Sequence, residues 1–109
     1  MEQKLSPLAA DLLTLGRLVR SSRQRCELNL LDAADYLYVE VTELSRIEDG
    51  MSVGTEALFK VLTGFGLEML VMNRDDATDA LQAVGHTVNW HEVMERRSPR
   101  REQPKLVPL

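Results

Sequence analysis

Apolar side chains recur along this chain mostly at steps of three and four, the period of a helix with one buried face. Leu8, Leu12, Leu15 and Val19 follow one another in this way after Ser6-Pro7. Serine before proline is a helix-start signature, because the serine oxygen accepts from an orphan amide and proline has no amide to leave unpaired. A first helix is expected from there to about Gln24. Asn29, with Asp32 three residues on, has the form of a cap and opens a short second helix that buries Ala33, Ala34 and Leu37. The stretch from Tyr38 to Gly50 begins with the alternation of a half-buried strand and ends with the spacing of a helix. A helix from about Glu40 sets Leu44 and Ile47 on one face and closes on Asp49-Gly50, whereas a strand leaves its second half unexplained, so a third helix is assigned. After a turn over Met51 to Gly54, Leu58, Val61, Leu62 and Phe65 mark a fourth helix, stopped by Gly66.

The pattern then changes. Leu67 to Met72, between Gly66 and the turn-like Asn73-Arg74-Asp75, is too short and too evenly apolar for a free helix and predicts a β-strand with no partner in its own chain. Asp75 or Asp76 is expected to start a helix carrying Ala77, Ala80, Leu81 and Val84 and ending at Gly85. Thr87 or Asn89 caps a last short helix with Trp90, Val93 and Met94, where Trp90 is a packing residue or a dimer-interface anchor. Beyond Arg97, serine, prolines and basic residues predict a disordered tail.

Composition narrows the function. A chain of 109 residues makes one small domain with a modest core, for which a second subunit is a reasonable expectation. The longest apolar stretch falls far short of the roughly 20 residues that span a bilayer, and the N-terminus lacks a cationic start followed by an apolar run; the expectation is a cytoplasmic protein with no membrane partner. Residues 96–109 carry five basic side chains against Glu102, a surplus of +4, so the preceding 95 residues carry −8 where the whole chain carries −4. Within that acidic body Arg17, Arg20, Arg23 and Arg25 are the only basic cluster, a local patch without a global field. The single Cys26 excludes an intrachain disulfide. His86 and His91 lie five apart, about 140° around a helix, and lack the further ligand of a usual zinc set, so no metal or cofactor is expected. With no glycine-rich phosphate loop and no nucleophile-base pattern, the chain is not expected to be an enzyme.

The register of five elements carries a resemblance. Leu15-Gly16 and Arg23 in the first helix, Leu28-Asn29, Ala34 and Leu37 in the second, Leu44-Ser45-Arg46-Ile47-Glu48 with Gly50 in the third, and Leu58, Lys60, Val61 and Leu62 in the fourth are arranged as in the Xre/Cro-type helix-turn-helix domains of phage repressors and of HipB-like antitoxins. The resemblance spans residues 12–72 and implies a mainly α fold: a lambda-repressor-like domain of four to five helices, then a short dimerising β-strand and C-terminal helices. The corresponding division is a DNA-binding domain over residues 7–66, a dimerising or partner-contacting extension over 67–95, and a basic tail over 96–109. The resemblance also implies that Arg23 bridges to Glu48 while its guanidinium lies beside a phosphate, and that Val41, Thr42 and Arg46 face base edges. It further implies that the strand pairs with its mate across a dimer axis, through Leu67, Met69, Leu70, Val71 and Met72.

The chain departs from the family pattern at three places: Leu30 stands where glutamine is usual, Tyr38 where the turn commonly has glycine, and Glu40 where the cap is serine or threonine. The expected function is a homodimeric, sequence-specific regulator of a double-stranded DNA operator, a repressor that in the HipB-like case is also the antitoxin of a toxin partner. Its DNA-facing residues would be Arg20, Arg23, Arg25, Asn29, Glu40, Val41, Thr42, Glu43, Ser45 and Arg46. Glu43 can accept from a cytosine amino group, Thr42 can bond a base edge or meet a thymine methyl, Val41 can touch that methyl, and Arg46 can pair with guanine or hold a phosphate. The competing reading is a protein-interaction module that kept the fold and lost the operator, since Glu40 and Glu43 repel phosphate and Leu30 is apolar.

Overall fold

The computed structural model describes residues 5–98, and the tail expected beyond them lies outside the described residues. Six helices follow one another: α1 Leu12–Arg25, α2 Leu30–Leu37, α3 Val41–Glu48, α4 Thr55–Gly64, α5 Arg74–Ala83 and α6 Trp90–Arg97. The first four enclose the core. Val19 of α1, Ala33, Ala34 and Leu37 of α2, Leu44 and Ile47 of α3, and Val61 and Leu62 of α4 pack together, with Leu30, Val39, Leu58 and Phe65 against them.

The start of α1 differs from the expectation at Ser6-Pro7. The Asp11 carboxylate accepts from the Thr14 amide at 2.9 Å while the Thr14 hydroxyl accepts from the Asp11 amide at 3.0 Å, so two orphan donors are satisfied reciprocally. The Ala10 carbonyl, which a longer helix would turn toward Thr14, instead accepts from Arg97 Nε at 2.6 Å. Ser6 only closes a local turn onto the Leu8 amide. Burial pushes the Asp11 carboxyl up, but its bonds with Thr14 and Arg96 outweigh that and hold it below the ordinary value of 3.8.

Asparagine sets three of the remaining starts. Asn29, Asn73 and Asn89 accept from the amides of Asp32, Asp76 and Glu92 at 2.8, 2.9 and 3.2 Å. Helix α5 therefore begins one or two residues earlier than a start at Asp75 or Asp76, and Asn73-Arg74-Asp75 is a capped helix entrance rather than a turn. Glycine matters most where backbones touch. A Cβ on Gly16 would meet the Ile47 carbonyl and lie 2.7 Å from the Glu48 carbonyl, and one on Gly64 would run into the Leu37 side chain. These two contacts bring α1 onto α3 and α4 onto α2. Tyr38 ends α2 in the left-handed region, at a φ of 60°, and the amide of the following Val39 closes onto the Ala34 carbonyl at 3.1 Å.

The dimerising β-strand is overturned: among the described residues there is no strand, and Leu67 to Met72 is an irregular connection between α4 and α5. The physical reason lies in hydrogen bonding, because a strand requires a neighbour for its amides and carbonyls and this chain supplies none. Leu67 folds back against the core, its amide bonded to the Leu62 carbonyl at 2.8 Å as α4 closes. Met69, Leu70, Val71 and Met72 are exposed, Val71 to 89%. The division at residue 96 shifts as well, since Arg96 and Arg97 belong to α6. They tie it to the start of α1, Arg96 to the Asp11 carboxylate at 3.2 Å and Arg97 to the Ala10 carbonyl. Trp90 is half-buried and donates to the Thr78 hydroxyl at 2.8 Å, joining α6 to α5. No helix among the described residues is long and apolar enough to cross a membrane.

Two backbone sites should respond oppositely to substitution. Gly16→Ala forces α1 away from the α3 carbonyls and is expected to cost about 1–3 kcal/mol. Tyr38→Gly removes a left-handed tyrosine whose side chain is 85% exposed, and is expected to gain up to about 1 kcal/mol, less the greater chain entropy of glycine. Urea midpoints of the two variants measure both effects, and equal shifts of one sign would contradict this account.

Candidate nucleic-acid interface

Helices α2 and α3 are joined by the three-residue turn Tyr38, Val39 and Glu40, and α3 turns Leu44, Ile47 and Glu48 inward. The orientation of α3 is fixed from α1. Arg23 Nε and Nη2 donate to the Glu48 carboxylate at 2.6 and 2.9 Å, and Nη1 donates to the Leu28 carbonyl at 2.9 Å. Arg20 Nε reaches the same carboxylate at 3.2 Å, while its Nη2 lies 3.3 Å from Asp49. The Glu48 side chain is 2% exposed and that of Arg23 13%. The bonded carboxylate raises the Arg23 pKa above its ordinary value, against the opposing effect of burial. With each of its three guanidinium nitrogens bonded inside the protein, Arg23 is a positioning residue for α3.

The expected contact residues fall into two groups. Glu40, Val41 and Thr42 are exposed at the start of α3, and Arg25 is exposed at the end of α1. The others are half-buried or hold polar contacts within the protein. Glu43 is half-buried and accepts from the Glu40 amide at 3.1 Å, and Ser45 is half-buried on the same helix. Arg46 stays exposed but directs Nε and Nη2 to the Ser52 carbonyl, at 3.2 and 3.0 Å, toward the connection after α3. Arg20 remains partly open beside its two carboxylates, and Asn29 spends its oxygen on the cap of α2. Leu30 does not point outward as a contact residue would; it is half-buried against the core.

One feature has no counterpart among the expected sites. Tyr36, Tyr38 and Phe59, three of the five aromatic residues of the chain, are exposed and line an open groove with Lys60 and Thr63 between the end of α2 and α4. The signal was present in the spacing, since Tyr36 and Phe59 lie off the buried faces of their helices, yet nothing in the pattern brings the two together. His91 faces Glu95 one turn on, at 3.5 Å, and among the described residues no three metal-ligating side chains converge.

The buried pair should show strong coupling. Arg23→Met leaves Glu48 charged and buried and Glu48→Leu strands Arg23, so each is expected to cost up to about 3–5 kcal/mol, while the double substitution costs less than the sum. Denaturant midpoints of the two single variants and the double variant measure the coupling, and strict additivity would show that the two groups act separately.

No protein-family model matches the chain, and no curated protein matches it closely enough to be named as a relative. What it does must be argued from its own residues.

Proposed function

We propose that the chain is a non-enzymatic, sequence-specific regulator of transcription, a repressor of the Xre/Cro helix-turn-helix type that acts in the cytoplasm as a homodimer on double-stranded DNA. The observation that carries this reading is the exposed start of α3, with Val41 and Thr42 free and the helix held rigid from behind by Arg23 and Glu48. A helix presented by its first turn after a three-residue turn suits the major groove, which admits one helix and displays a distinct edge for each base pair. Arg25 and the partly open Arg20 then approach the flanking phosphates. The acidic body works against indiscriminate binding, because little counterion release is available away from these arginines. Neither a metal nor a cofactor enters the reading.

The aromatic groove favours a second reading. Tyr36, Tyr38 and Phe59 are the residue types that anchor protein contacts, and the Glu40 and Glu43 carboxylates beside α3 disfavour phosphate. A protein partner, such as the toxin of an antitoxin-repressor, would use that side of the molecule, together with DNA binding or in its place.

Selection from a random duplex pool at low salt separates the two. The expected outcome is an inverted repeat with half-sites about 34 Å apart, one helical turn. Arg25→Ala is expected to weaken all selected sequences alike and to lower the salt dependence by about one counterion. Retention of no sequence at low salt would overturn the regulator reading and leave the groove as the working surface.

A further inference from the structure

Of the five side chains on α3 expected to face DNA, Val41 and Thr42 alone are exposed and make no side-chain hydrogen bond among the described residues, Ser45 being half-buried, and both carry methyl groups. Glu43 serves as acceptor for the Glu40 amide, and Arg46 is turned toward the Ser52 carbonyl. Val41 and Thr42 occupy the first two positions of the helix and are exposed, with no hydrogen bond from the Thr42 hydroxyl among the described residues. Neither can make the paired donor contact to guanine or the paired amide contact to adenine that polar readout relies on. A thymine, however, offers a C5-methyl group in the major groove, and apolar contact with it is within the chemistry of both valine and threonine.

We propose that α3 reads its DNA chiefly through thymine methyl groups, Val41 and Thr42 packing against one or two neighbouring thymines in each half-site. The inference rests on the DNA-binding reading above and names the base chemistry that reading left open. It assigns Arg46 a holding role, bracing the connection at Ser52, rather than recognition of guanine.

Replacing thymine by deoxyuridine removes only the C5-methyl and keeps every base-pairing and groove hydrogen bond, so it tests the contact directly. In duplexes obtained by selection, each thymine is replaced in turn and binding is measured. One or two replacements per half-site are expected to weaken binding about fourfold each, the factor that burial of one methyl-sized group supplies. Thr42→Ser, which keeps the hydroxyl and loses the methyl, and Val41→Ala are expected to abolish the sensitivity at one position each. Thr42→Val, which keeps the methyls and loses the hydroxyl, should preserve it. Both residues are exposed, so circular dichroism should show these variants folded. Selective binding that is indifferent to every uracil replacement, or a selected core of G·C pairs lost with Arg46→Ala, overturns the inference while the regulator reading stands. Failure to select any duplex overturns that reading and takes the inference with it.

Discussion

The Glu48 carboxylate closes α3 at the end where a helix dipole opposes negative charge, and it is buried there. Such a group is tolerable only with cationic partners, and α1 supplies two. Gly16, Arg20 and Arg23 stand four and three residues apart on one face of α1. The glycine lets the α1 backbone rest on the last carbonyls of α3, and the arginines one and two turns further on then reach the carboxylate. Close approach and charge pairing are thus one device. A larger residue at position 16 moves the arginines away from Glu48, and loss of an arginine leaves a charge without water. The direction in which α3 faces solvent follows from this junction.

Around it, polar groups that sequence alone would offer to a ligand are consumed in building the fold. Glu43 completes the start of α3, Arg46 steadies the connection to α4, Asn29 starts α2, and Arg23 bonds Glu48 and the Leu28 carbonyl. Besides Arg46, the exposed side chains of α3 are Val41 and Thr42, which are short, branched and partly apolar. A small domain has few residues to spare, and polar side chains near the exposed start of α3 are the same ones that must cap its short helices. The acidic balance of the body leaves the four arginines of α1 as its only basic cluster.

The C-terminal pair of helices is joined to this unit mainly by polar ties. Arg96 and Arg97 grip the first turn of α1, with one bond to a carbonyl and one to the capping carboxylate. Leu81 of α5 and Val93 of α6 are buried and Trp90 half-buried, apart from the core of the first four helices. Between the two units the exposed run from Met69 to Met72 is apolar without being ordered as a strand, which shows the limit of reading hydrophobicity as secondary structure. Apolar character favours burial, but a ladder also requires backbone partners, and composition carries no information about them.

The residues by themselves determined the order of the first four helices. Leu44 and Ile47 fixed α3 as a helix, Ala33, Ala34 and Leu37 fixed the inner face of α2, and Asp49-Gly50 and Gly66 fixed two endings, because helical period and left-handed glycine are local properties. Capping was legible at Asn29, was narrowed to Thr87 or Asn89 before α6, where Asn89 is the cap, and was misplaced at Ser6 and at Asp75 or Asp76. At Ser6 the deciding partner, Arg97, lies 87 residues from Ala10 in sequence. The candidate site divided in the same way. A family pattern pairs Arg23 with Glu48, but only their placement across the α1–α3 contact showed that Nε, Nη1 and Nη2 of Arg23 are each bonded within the protein. The availability of Arg46 and Glu43, the inward turn of Leu30 and the meeting of Tyr36 with Phe59 were decided by tertiary structure alone. Each depends on what stands opposite a side chain, and that is set by how helices cross, not by the spacing along any one of them.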